Sequence, residues 1–111
     1  MKDAKILLLG ITFKENCPDL RNSKVVDIYS TLHEYTSNIS VYDPWANAES
    51  VKHEYNIDIT NTLPNEQFDA VILAVAHKEF TQIDVRSLVK EGGVLYDVKG
   101  ILPKEIVDER L

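Results

Sequence analysis

Lys14 and Lys99 are basic side chains that each stand just past an apolar run of this sequence, and Arg21 lies further along the loop after the first run. A phosphate or carboxylate is the ligand such charges hold, through charge-assisted hydrogen bonds. Lys14 and Arg21 follow the run that opens with Ile6-Leu7-Leu8-Leu9, and Lys99 follows Val94 to Asp97. Asp43 and Trp45 come after a second run, His77 and Lys78 after a third. Position alone leaves other readings open. Lys14 could equally be a solvated surface lysine, and Arg21 a structural clamp on Asp19 or Glu15. Asp43, placed before Pro44, reads as a turn former ahead of a ribose ligand. His77 reads as a hydrogen-bonded structural histidine ahead of a catalyst. Cys17 lies in a polar loop with no histidine near it in sequence, so a nucleophilic role is not expected. His33 and His53 fall in helical segments and read as surface residues. Nothing forms a triad, a metal cluster or a paired-carboxylate site, so no catalytic residue and no metal ligand is assigned.

The elements that must position these residues alternate regularly. Lys5 to Phe13 reads as a strand buried on both faces. Val25, Ile28, Tyr29, Leu32 and Tyr35 then recur at helical spacing and mark one buried helix face, with Asn22 or Ser23 as the N-cap. A second strand at Ile39 to Tyr42 stops at Asp43-Pro44. A short helix around Ala48 to Tyr55 and a weak third strand near Ile57 to Ile59 follow. Asp69 to Val75 is a second strongly buried strand. A helical stretch around Asp84 to Val89 leads to Gly92-Gly93, read as a helix stop and turn. Val94 to Asp97 is the last strand, and Pro103 opens a closing helix to Arg110.

Apolar strands alternating with helices predict an α/β fold: a Rossmann-like, doubly wound parallel sheet of about five strands with helices on both faces. The expected strand order is 3-2-1-4-5. Ligands of such sheets sit outside the carboxyl ends of the strands, where the order reverses. Lys14, Arg21, Asp43, Trp45, His77, Lys78 and Lys99 follow strands on that side.

The 111 residues fit one domain. With 44% hydrophobic and 27% charged residues the balance is globular, and the net charge of -6 argues against a nucleic-acid partner. The single cysteine rules out an internal disulfide and a thiolate zinc site, which suits a reducing compartment. The first apolar run is too short for a signal peptide or a membrane span, so a cytoplasmic location is expected. A dinucleotide fingerprint is missing: only Gly10 follows the first strand, so NAD is not expected to bind here in the usual way. The connection from Lys14 to Asn22 exceeds the roughly two to six residues usual for a strand-to-helix loop, and long ordered loops at strand ends often carry function.

One run sharpens this. Gly10-Ile11-Thr12-Phe13-Lys14-Glu15-Asn16-Cys17-Pro18-Asp19-Leu20-Arg21-Asn22-Ser23 resembles the opening of the UDP-binding C-terminal domain in the UDP-glucose/UDP-mannose dehydrogenase family, with its pattern G-x-x-F-K-x-x-x-x-D-x-R-x-S. Val41-Tyr42-Asp43-Pro44 and Tyr96-Asp97-Val98-Lys99-Gly100-Ile101-Leu102 agree in their expected places, so the likeness covers nearly the whole chain. Within the family, Asn16 to Ser23 and Ala74 to Phe80 look most like the enzymes that oxidise UDP-N-acetylhexosamines for capsule, Vi-type or O-antigen polysaccharide.

The resemblance implies roles for the named residues. Lys14 matches a lysine that reaches the UDP-sugar, and Phe13 packs beside it. Lys99 stands where UDP-glucose dehydrogenases have a substrate-contacting arginine; it keeps the charge without the bidentate fork. Arg21 matches an arginine that leans towards NAD, and Asp19 orients Arg21. The same resemblance implies an N-terminal domain that holds most of the NAD and a helical middle domain with a nucleophilic cysteine. There the sugar C6 alcohol is oxidised twice to a uronate while two NAD are reduced. Cys17 lies in the wrong motif to be that nucleophile. Residues 1–111 are therefore expected to be one domain excised from a larger, homo-oligomeric enzyme, inactive alone. Alternatives are a domain of a UDP-glucose or UDP-N-acetylmannosamine dehydrogenase, or a non-catalytic docking or dimerisation module, which would expose an apolar patch.

Overall fold

The computed structural model describes residues 4–12, 25–102 and 104–110. Its centre is a parallel sheet of five strands: β1 (Ile6–Leu9), β2 (Ile39–Tyr42), β3 (Phe68–Leu73), β4 (Val89–Asp97) and β5 (Glu109–Arg110). They lie in the order β2-β1-β3-β4-β5. β1 takes an interior place because it is apolar on both faces, and all four of its residues are buried. Its register sets Ile6 beside Ile39 of β2 on one side and beside Ala70 of β3 on the other.

The alternation of side chains across the strands divides the core into two layers. On one face Leu8, Val41 and Val75 pack with Val25 of helix α1 (Val25–His33) and Val51 of helix α2 (Ala48–Tyr55). On the other face Leu7, Leu9, Val71, Leu73 and Leu95 pack with Phe80, Val85 and Leu88. Those last three come from 3-10 turns at Lys78–Thr81 and Val85–Leu88. The α1 face expected from sequence holds through Val25, Ile28 and Tyr29, but Tyr35 lies beyond the helix end and is 61% exposed. The proposed caps Asn22 and Ser23 lie outside the described residues. α2 has the bounds expected, with Asn47 accepting from the Ser50 N–H (2.9 Å) and Asn56 ending it in the left-handed region at φ 59°.

Four sequence expectations are corrected. The weak strand near Ile57 to Ile59 reduces to a single parallel bridge between Tyr42 and Thr60, although it lies outside β2 as the order 3-2-1-4-5 requires. The helix at Asp84 to Val89 is one 3-10 turn, because β4 starts at Val89. Gly92 and Gly93 are no helix stop; they lie inside β4, where the pairing with β3 shifts register. The helix expected over Pro103 to Arg110 is a 3-10 turn at Lys104–Ile106 followed by β5, which pairs with Tyr96 and Asp97. No helix among the described residues is long and apolar enough to cross a membrane.

Candidate functional site at the carboxyl edge of the sheet

The strand order reverses between β1 and β3, and Gly10 makes the junction. A Cβ there would lie 2.6 Å from the Val75 Cβ, and the backbone sits at φ +95°, so only glycine fits. The Gly10 N–H then donates to the Tyr42 carbonyl (2.8 Å), which carries the chain across to the end of β2.

Asp43 closes that end. Its Oδ2 accepts from the N–H groups of Ile11 (2.7 Å) and Thr12 (3.2 Å), and its Oδ1 from those of Trp45 (2.7 Å) and Ala46 (3.0 Å). His77 Nε2 lies 3.0 Å from Oδ2 and 3.1 Å from the Thr12 hydroxyl. A carboxylate can only accept, so Nε2 carries the proton in this pair. Thr12, Asp43 and His77 are fully buried. Burial pushes the Asp43 carboxyl up, but hydrogen bonds from His77 and from the Ile11 and Trp45 N–H groups outweigh it. The group is held below the usual carboxylate range. Trp45 stacks on the His77 ring (centroids 6.2 Å apart) and donates its indole N–H to Glu79 (3.0 Å), while Lys78 Nζ lies 5.8 Å over Trp45. The three loops after β1, β2 and β3 are thus tied at one buried carboxylate.

A second buried aspartate does the same for β4. Asp97 accepts from Lys99 N–H (3.1 Å) and Gly100 N–H (2.7 Å) through Oδ1 and from Leu102 N–H (2.8 Å) through Oδ2. The turn folds around the carboxylate and leaves Lys99 exposed at the strand's carboxyl end. A groove of about 660 Å³ lies to one side, at the start of α2, lined by Pro44, Trp45, Asn47, Glu49 and Asn61. It sits beyond the end of β2 and shares Trp45 with the Asp43–His77 cluster.

Of the residues assigned from sequence, Lys99 stands on the expected edge. Phe13, Lys14, Asp19 and Arg21 lie outside the described residues, as do Glu15 and Cys17, so the gathering of three basic groups remains a proposal. Asp43 and His77 have the structural roles that position alone favoured. Sequence reasoning overlooked Asp97 as a cap, although an aspartate with glycine three residues on is a turn signature. It also overlooked the link from His77 to Asp43, which no local pattern announces.

The same geometry tests the fit of a dinucleotide. In a Rossmann site the main-chain N–H groups after the first strand meet the pyrophosphate, and an acidic residue after the second holds the ribose. Here the N–H groups of Ile11 and Thr12 donate to Asp43, and Asp43 is saturated from within. Gly10 is filled by Val75. Among the described residues, the N–H groups that follow β1, those of Gly10, Ile11 and Thr12, are therefore taken up from within the domain rather than left for a pyrophosphate in the usual manner.

A model of the UDP-glucose/GDP-mannose dehydrogenase family, UDP binding domain, matches residues 7–104. A UDP-N-acetyl-D-glucosamine 6-dehydrogenase of Pseudomonas aeruginosa is 50% identical over 97% of this chain and 26% of its own length. One of the same name from Salmonella typhi is 41% identical over the whole chain and 27% of its length. Among solved structures, a UDP-D-ManNAc dehydrogenase from Pyrococcus horikoshii superposes with a TM-score of 0.73 at 19% identity, over 98% of this chain and 25% of that one. That likeness concerns the fold. The chain spans about a quarter of the length of these relatives.

Proposed function

Because the chain belongs to the UDP-glucose/GDP-mannose dehydrogenase family, as its UDP-binding domain, we propose that it is the UDP-sugar-binding part of an NAD-dependent UDP-N-acetylhexosamine 6-dehydrogenase. The observation that carries this reading is the identity of 50% to a UDP-N-acetyl-D-glucosamine 6-dehydrogenase across nearly the entire chain. In this proposal Lys14 and Lys99 meet the UDP-sugar from the carboxyl edge, Phe13 packs beside it, and Asp19 holds Arg21 towards the NAD. The exposed position of Lys99 past the end of β4, on the same carboxyl edge as the strand reversal, supports the assignment. The internal partners of the Gly10, Ile11 and Thr12 N–H groups support the view that NAD is held mainly by another domain, as does the missing glycine fingerprint. The whole enzyme, on this reading a cytoplasmic homo-oligomer, converts a C6 alcohol to a uronate for polysaccharide synthesis. The cysteine chemistry is assigned to the rest of the polypeptide.

Titration of UDP and UDP-N-acetylglucosamine into the 15N-labelled chain tests the binding reading. Amide shifts are expected at Lys14, Arg21 and Lys99, with no reduction of NAD. Lys99→Ala should weaken binding about tenfold, and Lys99→Arg should restore most of it, in keeping with roughly 1.5 kcal/mol for a charge-assisted hydrogen bond. An unshifted spectrum at millimolar UDP overturns the assignment.

A further inference from the structure

A lysine carries its charge on a long flexible stem, and each bond frozen on binding costs affinity. One that meets a small anion therefore gains from a backbone already fixed in place. The turn after β4 supplies such a backbone. β4 is held on both borders where it ends: Asp97 stands beside Leu73 of β3 and Arg110 of β5, and the Val98 N–H donates to the Leu73 carbonyl (3.0 Å). A few residues on, Leu102 is buried again and Ile101 packs against the same core layer. Asp97 closes the interval by taking the N–H groups of Lys99, Gly100 and Leu102 on its two oxygens. Between Asp97 and Leu102 the chain is exposed at Lys99 and Gly100.

Gly100 completes the closure at φ +69°, a conformation that L side chains resist, yet a Cβ there would meet nothing within 4 Å. Space gives no reason for glycine at this position; the backbone alone requires it. The sign of the cap is a second feature. A carboxylate two residues from a lysine opposes, by its charge, any anion the lysine attracts. Asparagine and serine also form such turns and carry no charge. Geometry accounts for the aspartate, since a carboxylate offers two oxygens that both accept and neither donates, to meet three converging N–H groups.

We propose that Asp97 and Gly100 are positioning residues of the nucleotide site that act through Lys99. The closed turn sets the lysine's backbone before a UDP-sugar arrives, so that its ammonium reaches the anionic part of that ligand. The proposal rests on the reading that Lys99 meets the UDP-sugar.

The test is the dissociation constant for UDP, measured by titration of the 15N-labelled chain and its variants, each first checked for a native amide spectrum. Gly100→Ala should weaken binding by about three- to tenfold, no more than Lys99→Ala itself loses, because its effect passes through Lys99. Asparagine tolerates positive φ, so Gly100→Asn should stay within about twofold of the parent. Asp97→Asn separates position from charge. Its NH2 group opposes one of the three N–H groups and loosens the turn, so binding should weaken. A role in charge alone gives tighter binding, as a negative group is removed. In the Lys99→Ala background, Gly100→Ala should change the constant no further and Asp97→Asn should no longer weaken it. Equal losses with and without the lysine overturn the proposal, as does tighter binding by Asp97→Asn. If Gly100→Ala binds like the parent while Lys99→Ala is weakened, the positioning claim alone falls. If Lys99→Ala binds like the parent, the assignment of Lys99 falls, and the positioning claim with it. An unfolded Gly100→Ala chain leaves the decision to the sign of the Asp97→Asn effect.

Discussion

Asp43 takes up N–H groups from two loops and a histidine ring in one buried carboxylate, so its charge is a structural component. Its native pKa lies below that of an unfolded aspartate, which means the unfolded chain binds more protons in the interval between the two. The stability it contributes is complete above the ordinary value near 4 and disappears as pH falls through the depressed native value. Asp43→Asn keeps the shape but sets an amide donor against backbone donors, and should cost about 3 kcal/mol at neutral pH. Urea midpoints of both proteins from pH 7 to pH 3 check this. The gap should narrow towards the acid end, where the unfolded wild-type carboxyl takes up a proton that the native one resists; a gap that widens with acid contradicts the assignment. This residue also shows what sequence could reveal. Asp43 before Pro44 announced a turn, yet its partners Thr12 and His77 are brought in by the parallel register of β1, β2 and β3, which is a long-range property.

At the scale of elements, the buried strands and the capped helix α2 were legible because apolar runs and an Asn47 cap are local signals. The last third of the chain was misread for a physical reason. Gly92-Gly93 carries the usual mark of a helix stop, but here it serves close approach between strands. A Cβ on Gly93 would lie 2.6 Å from the Asp69 carbonyl oxygen, whereas one on Gly92 meets nothing within 4 Å. Gly92 needs glycine only for its φ of +81°, which asparagine also tolerates. Gly93→Ala should therefore lower stability by about 2 kcal/mol, while Gly92→Asn should cost well under half as much. Urea unfolding of the pair decides it, and equal losses would show that the bulge is not sterically fixed. The motif from Gly10 to Ser23 remained the strongest functional signal in the sequence, since charge and position left Lys14 and Arg21 ambiguous without it.

Across the whole molecule, two buried aspartates tie the loops of the carboxyl edge, and among the described residues the α1-side face of β3 and β4 is left open. The asymmetry of the sheet has another outcome, at its outer border. β5 pairs only with Tyr96 and Asp97, and Asp108 takes up the N–H and carbonyl of Leu95, so the stretch of β4 from Val89 to Val94 has no strand on its outer side among the described residues. A bare, flat border recruits identical chains and seeds fibrils. Lys90 and Glu91 are exposed on this stretch, Lys90 pairs with Asp69 (3.2 Å), and the irregular step at Gly92 and Gly93 breaks the flatness. The double variant Lys90→Val, Glu91→Val should scatter light within hours at concentrations where the parent stays clear, and the charge swap Lys90→Glu, Glu91→Lys should remain clear. The glycine step thus serves solubility as well as packing, by making β4 a poor template for its own copies.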